Sequence, residues 1–503
     1  MIKNFIALLF LAPFCLSATP LFDRVTRIGS FQDIWPPSSS SSVPTRSGKN
    51  LEVLLFSPES SEPPWPTVIL ISPYKLQRTF VEQLIPLRKK GYMIAYVKIN
   101  PSLMNFLSSD VVFQDVEDVC SWMKENILCN GQIGMWGPSA SAIIETILGG
   151  RGIPGLKSIY AISASPQLAK DSLFLGNVHR EDLRNSRLSY IFNYLLGSLS
   201  LDASSIIFEC IKPKKWITDK QPTTLYCTGW YDFFCQGTID LFIEHGKQSS
   251  SNSVIVIGPW SHSPVIDPLT TLRDENNPPV DVSAQNWFDL TLKNQLSESE
   301  ISSLYYVIHP EFGEWRRLEK WPIPFKECVF SFSTPNIVVK HDPCNPFPLV
   351  GGWNFDKSQP SGPILQNKIL DHPSSNKSLI ELYPTDKIVI TGRPMICISC
   401  IADKQTICMA RICHISKDGK WIPVSHMAKE IEKGEHEYML DCSPTSFMLN
   451  PGDRVGVIFS SSCENVLVSP STPTELNLCL EKSRIIFPIE RSSEDPQQPC
   501  LAP

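Results

Sequence analysis

The chain has 503 residues, 42% of them hydrophobic and only 19% charged, which excludes a disordered protein and supplies enough apolar material for sizeable cores. A net charge of −6 without basic runs excludes a nucleic-acid binder, whose affinity rests on neutralising phosphates, and gives no support to a charge-anchored membrane protein. The length suits two or three domains.

In chain order, Lys3, the apolar run 5–15 and Ser17-Ala18 read as the parts of a signal peptide, assigned to 1–18. The run is too short to span a bilayer, and Phe14 stands where lipidation of Cys15 would need a small residue. No later stretch is a transmembrane segment, so the expected protein is exported, periplasmic or secreted. Ser38 to Ser42 reads as a surface loop or spacer. From 51 to 163, short apolar strands alternate with helices such as 111–127, whose start carries Asp110, Asp115 and Glu117. That alternation predicts a mainly parallel sheet with helices on both faces.

Within it, Ile133-Gly134-Met135-Trp136-Gly137-Pro138-Ser139 is an apolar strand ending in a sharp turn, and a small-residue helix pattern follows at Ala140. This is the layout of a nucleophile elbow, with a serine at the tip of a strand–turn–helix. A serine nucleophile needs a base, and the base an orienting carboxylate, in the chain order Ser, Asp, His. Strand 223–228 runs into Gly229-Trp230-Tyr231-Asp232, and strand 254–257 into Gly258-Pro259-Trp260-Ser261-His262. Ser139 is therefore read as nucleophile, His262 as general base and acid, and Asp232 as the group fixing the imidazole tautomer. The plain structural alternatives are a helix N-cap for Ser139 and a cap of helix 237–245 for Asp232. Ser141 is the rival nucleophile but falls inside the helix start. His179 and His245 fall on helical patterns, and His309 and His414 near strand edges, as ordinary packing or surface residues.

The alternation stops over 166–222, where 180–199 reads as helical, a short cap inserted between nucleophile and acid. It resumes over 223–324. After Trp321-Pro322 the pattern turns to β, with runs at 329–332, 378–382 and 454–459 divided by turn residues, which predicts an antiparallel sandwich over 325–489. The tail 490–503 is polar and Pro-rich. Of sixteen cysteines, Cys120, Cys227, Cys397 and Cys408 fall in apolar patterns, and Cys397-Ile398-Ser399-Cys400 is a lone pair within strands, read as packing residues rather than metal ligands.

Gly-Met-Trp-Gly-Pro-Ser at 134–139, Gly229-Trp230-Tyr231-Asp232-Phe233-Phe234 and Gly258-Pro259-Trp260-Ser261-His262 resemble the catalytic blocks of the cocaine esterase / X-Pro dipeptidyl-peptidase hydrolases, with the α-amino-acid ester hydrolases. Trp287-Phe288-Asp289, Glu314-Trp315-Arg316 and the block Asp342–Gly352 resemble further signatures, the last of them the linker-like opening of the family's β domain. The resemblance implies an α/β-hydrolase fold (19–165 and 223–324), a short helical cap (166–222) and a C-terminal all-β jelly-roll domain (325–489). It also implies that Tyr74, after strand 67–72, donates to the oxyanion beside the Ala140 N–H. Two departures stand out. Ala140 and Ala142 replace the family's aromatic and small residue after the serine, and 98–106 replaces its Arg-Gly loop.

The expected activity is hydrolysis of an ester or amide through an acyl-enzyme, on a small-molecule ester, amide or short peptide, with no metal or organic cofactor. X-Pro dipeptidyl-peptidase or acyltransferase activity is the alternative on the same triad, and a catalytically inactive binding protein the alternative from another class. A peptidase needs an anion for the substrate amine, for which Glu145, Asp171 and Glu181 are available. Oligomeric state is open.

Overall fold

The structure, a computed structural model, describes residues 35–59, 61–73, 75–76, 78–99, 110–182, 216–262, 278–293, 301–311, 313–348, 350–355 and 361–491. Its first body is a ten-stranded sheet. In chain order its strands are β1 (Ser39–Pro44), β2 (Asn50–Phe56), β3 (Trp65–Ser72), β4 (Met93–Lys98), β5 (Cys129–Pro138) and β6 (Leu156–Ile162). A separate two-stranded ribbon, β7 (Phe174–Leu175) and β8 (Val178–His179), precedes β9 (Thr223–Tyr231), β10 (Ser253–Ser261), β11 (Leu304–Val307) and β12 (Glu314–Arg317). The spatial order is β1-β2-β4-β3-β5-β6-β9-β10-β11-β12, parallel from β4 to β11 and antiparallel at both ends.

β3 is buried along its whole length because successive side chains feed opposite faces, both of them covered. Ile69 and Ile71 join Val116 and Val119 of α2 (Val111–Glu125) and Ile143 and Ile144 of α3 (Ala140–Arg151). Val68 and Leu70 join Phe80 and Leu84 of α1 (Arg78–Lys89) and Trp287 and Phe288 on the opposite face. Burying each such side chain contributes about 1.5–3 kcal/mol, so this double-sided strand anchors the sheet.

The second body is antiparallel throughout. One sheet runs Asn336–His341, Thr474–Cys479, Met395–Ala402, Arg484–Glu490, Ile388–Gly392 and Thr445–Leu449, with Phe325–Phe330 and Gly434–Asp441 pairing to its flanks. The other runs Asn376–Leu379, Arg454–Ser460, Thr406–Ile415 and Trp421–Ile431. The protein is thus a mainly parallel α/β core followed by an all-β domain, as the sequence pattern leads one to expect, and the core is the α/β-hydrolase fold that the resemblance implies.

Several local expectations need correction. Ser39 to Ser42 is an edge strand, registered against Glu52 to Leu55, because the backbone of β2 offers a free ladder that exposed serines accept. His179 lies in β8 rather than a helix, and Arg180 forms a bridge to Leu467 of the β domain instead of opening a helix; the rest of the helical reading, 183–199, lies outside the described residues. The β domain already has two strands before the block Asp342–Gly352, which therefore does not open it. Glu490 belongs to its last strand, where it pairs with Arg316 at 2.7 Å across the domain seam. The signal-peptide segment and residues 492–503 lie outside the described residues.

At the same seam Tyr231 Oη donates to the Pro423 carbonyl at 2.7 Å, with both partners buried. Tyr231→Phe leaves that acceptor unpaired and is expected to cost about 1–3 kcal/mol, read as a lowered melting temperature with the reactivity of the neighbouring site retained.

Candidate active site

Because β5, β6, β9 and β10 are parallel neighbours, the loops leaving their C-terminal ends emerge on one edge of the sheet. The chain passes from β3 to β4 on one side and then to β5 on the other, so that edge also contains a switch point, where open α/β sheets form their crevice. Ser139 leaves β5, Asp232 leaves β9 and His262 leaves β10.

Ser139 has φ 55° and ψ −121°, a region that costs a non-glycine residue about 1–3 kcal/mol. It is held there from both sides. Its N–H donates to the Ile162 carbonyl of β6 at 2.8 Å, and its carbonyl accepts the Ile143 N–H at 3.0 Å to start α3. The turn is tight: a Cβ at Gly137 would lie 2.5 Å from Ser141 Cβ and 2.7 Å from Glu145 Oε1. Ala140 is the first residue of α3, so its N–H belongs to the helix start, where backbone donors lack intrahelical partners. Tyr74 lies outside the described residues, as does 100–109 of the altered loop.

His262 Nδ1 is 2.9 Å from Asp232 Oδ1, and His262 Nε2 is 3.1 Å from Ser139 Oγ. A carboxylate only accepts, so Nδ1 carries the proton and Nε2 presents its lone pair to the serine hydroxyl. Asp232 Oδ1 also accepts the Phe234 N–H at 2.8 Å, which fixes the carboxylate in the turn. The helix that follows, Cys235–Gln248, takes no side-chain cap, so Asp232 does not cap it: Oδ1 serves the turn and the imidazole together. Ser141 is wholly buried within α3, and no contact brings it to His262.

Aromatic rings enclose the imidazole, with centroids at 4.2 Å for Phe233, 5.3 Å for Phe234 and 5.6 Å for Phe355. The guanidinium of Arg180 lies 4.8 Å over Phe233 and pairs with Asp182 at 2.6 Å, both side chains being buried. Arg180 Nη2 also donates to the Trp353 carbonyl, and Asp182 Oδ2 accepts the Phe355 N–H. The insertion and the β domain thus meet over His262. Sequence reasoning missed Arg180, Asp182 and Phe355; Phe233 stood in a recognised motif, but the others come from segments whose proximity no local pattern encodes.

The three acids considered as amine anchors separate. Glu145 is wholly buried on α3, and burial, only partly opposed by the Ile71 backbone, pushes its carboxyl well above the ordinary range. A neutral enclosed carboxyl offers no anchor to an ammonium group. Asp171 lines a cleft of about 380 Å³ between the two domains, with Asp232, Arg393 and His426; burial first, opposed by the Ser165 hydroxyl, pushes it up to about 6. Glu181 lies between Arg180 and Asp182 and donates its N–H to the Val466 carbonyl.

The chain is similar to known proteins in sequence and in fold. A family profile described as X-Pro dipeptidyl-peptidase (S15 family) matches residues 47–190. The cocaine esterase of Rhodococcus sp. (strain MB1 Bresler) is 22% identical over 532 residues, covering 84% of this chain and 90% of that protein. The chain is thus similar to this family of hydrolases, through its first third in the family profile and over most of its length in the esterase. Solved structures share its fold. An aminopeptidase from the marine sediment archaeon Thaumarchaeota archaeon has a TM-score of 0.71 at 14% identity, covering 95% of this chain and 99% of that one. A selenomethionine-labelled α-amino-acid ester hydrolase has 0.69 at 15%, covering 90% and 96%. A CocE/NonD family hydrolase from Staphylococcus aureus has 0.64 at 14%, covering 90% and 93%. These likenesses indicate a hydrolase.

Two substitutions test the elbow. Gly137→Ala is expected to abolish folding or serine reactivity, measured as soluble yield and active-site labelling, because its Cβ would meet Ser141 Cβ, which the helix backbone fixes, as well as the buried Glu145 carboxyl. For Glu145 the neutral form is the folded one, so its contribution is fully present below about pH 4.5, its ordinary value, and is lost as pH rises towards and through its raised folded value. Glu145→Gln should match the wild type in melting temperature near pH 4.5 and exceed it increasingly towards pH 8.

Proposed function

We propose that the protein is a serine hydrolase that cleaves an ester or amide bond through an acyl-enzyme on Ser139. The observation that carries this reading is the unbroken relay from Ser139 Oγ to His262 Nε2 and from His262 Nδ1 to Asp232 Oδ1, at 3.1 and 2.9 Å. As Ser139 Oγ attacks the carbonyl carbon, its proton passes to His262 Nε2, and Asp232 stabilises the imidazolium that forms. His262 then gives that proton to the departing oxygen or nitrogen. Water enters, loses a proton to His262 and attacks the acyl carbon, and Ser139 leaves with the proton returned. The Ala140 N–H and, by family resemblance, the Tyr74 hydroxyl receive the oxyanion; one such donor is worth about 3–4 kcal/mol.

Esters are the favoured substrates. An alcohol leaves more readily than an amine, and enclosure of Glu145 removes one of the three carboxylates that could hold a peptide's amino terminus. The relative's name, cocaine esterase, points the same way. We further propose export after removal of residues 1–18, and a jelly-roll topology for the β domain, which serves as a cleft wall through Trp353 and Phe355.

The test is fluorophosphonate labelling of the purified protein beside Ser139→Ala, with the adduct mapped by mass spectrometry. A single adduct on Ser139, absent from the variant, is the expected result. Folded protein that does not label overturns the hydrolase mechanism in favour of a binding role, and an adduct on another serine overturns the assigned elbow. Among short acyl esters and X-Pro peptides, esters should turn over faster, and the reverse order would make the protein a peptidase. Asp232→Asn should lower kcat by about 10⁴-fold, since an amide in that position favours the wrong imidazole tautomer.

A further inference from the structure

A second cluster of titratable side chains lies where the two domains join, on residues the triad does not use. β11 ends at Val307, and the next residue, Ile308, is locked to the β domain: its N–H donates to the Ser446 carbonyl at 2.8 Å and its carbonyl accepts the Met448 N–H at 3.1 Å. This places His309 against His414, on strand Thr406–Ile415, and Asp453, in the turn before Arg454–Ser460. One ligand atom from each of the three lies within 4.8 Å of those of the others. The three side chains are 4%, 0% and 6% exposed.

Two observations distinguish this cluster from an ordinary buried hydrogen-bond network. The first is spacing. His309 Nε2 and His414 Nε2 stand 3.3 and 3.2 Å from the same oxygen, Asp453 Oδ2. Ligands at about 2.0–2.1 Å from a tetrahedral ion are separated by about 3.3 Å, so both measured edges fit one ion. The second is His414. Its side chain is wholly buried, yet Nδ1 has no hydrogen-bond partner among the described residues and Nε2 has only its 3.2 Å contact with Asp453 Oδ2, which falls short of regular hydrogen-bond geometry. Buried polar atoms are rarely left so. An ion at the centre of the cluster gives Nε2 the regular partner it lacks.

We propose that His309 Nε2, His414 Nε2 and Asp453 Oδ2 bind a borderline divalent cation, Zn²⁺ or its Co²⁺ analogue, as a structural clamp between the hydrolase core and the β domain. Two imidazoles and one carboxylate suit that class and not Mg²⁺ or Ca²⁺, which take oxygen ligands. The carboxylate is oriented by outer partners, with Oδ1 accepting the Lys417 N–H at 3.0 Å and Oδ2 the Asn450 N–H at 2.9 Å. The Asn450 carboxamide reaches within 3.1 Å of His309 Nε2, and with its oxygen turned inward it supplies the fourth ligand. One contact must open: His309 Nδ1 accepts the Glu311 N–H at 3.1 Å, and a metal on Nε2 leaves the ring proton on Nδ1. Glu311 lies in an exposed bend, where its amide turns to water at little cost.

The site is tested on the full chain after chelator treatment and dialysis. Zn²⁺ is titrated calorimetrically, and Co²⁺ by visible absorption. The expected result is one equivalent of either ion, tetrahedral Co²⁺ bands without a thiolate charge-transfer band, and a Zn²⁺-dependent rise in melting temperature. His309→Gln and His414→Gln should each weaken Zn²⁺ by more than the roughly tenfold to hundredfold that outer partners command. Both should keep Ser139 labelling, which shows that they fold. Absence of binding by the wild type overturns the proposal. So does binding that survives in both variants, or a thiolate band, which would move the metal to the cysteines.

Discussion

Parallel pairing of β5, β6, β9 and β10 is the constraint on which the rest of the site depends. Three residues separated by up to 123 positions meet because each follows a strand that ends on the same edge of one sheet. No side-chain interaction could gather them alone. The relay consists of two hydrogen bonds, each worth about 1 kcal/mol net, whereas the ladders and the double-sided apolar burial that fix the strands are far larger. The same rigidity holds Ser139 in its unfavourable backbone conformation: the Ile162 carbonyl on one side and the first turn of α3 on the other leave it no relaxed alternative.

The β domain is part of that site rather than an appendage. Trp353 and Phe355 reach back over the hydrolase core, and the buried Arg180–Asp182 pair binds them through a carbonyl and an N–H. A buried ion pair is poor evidence for net stability, since desolvation offsets its attraction, but losing one partner strands the other charge. Its effect here is positional: Arg180 covers one ring, Phe233, which in turn packs against His262. Arg316 with Glu490, and Ile308 with the strand around Phe447, tie the two bodies at other points of the seam.

Much of the site was legible because its chemistry is local. The strand–turn–helix around Ser139 needs Gly137 for want of room, and the glycine turns before Asp232 and His262 follow runs of apolar residues that can only be buried strands. The serine run misled for the opposite reason: composition suggests a loop, yet edge pairing depends on the free ladder of β2, which no property of residues 39–42 reports. His179 misled because short ribbons have too few residues for a period to show. Arg180, Asp182 and Phe355 carried no local mark at all.

The sequence by itself determined most of the element types, the change from an alternating α/β pattern to an all-β one, and the positions of Ser139, Asp232 and His262 just after strands, since these follow from apolar periodicity and turn chemistry within a few residues. Tertiary structure alone decided what surrounds them: the aromatic enclosure of His262, the neutral carboxyl of Glu145 beneath the elbow, and the meeting of His309, His414 and Asp453. Burial and proximity depend on how distant segments stack. That information is distributed over the whole chain, and no window of it contains the answer.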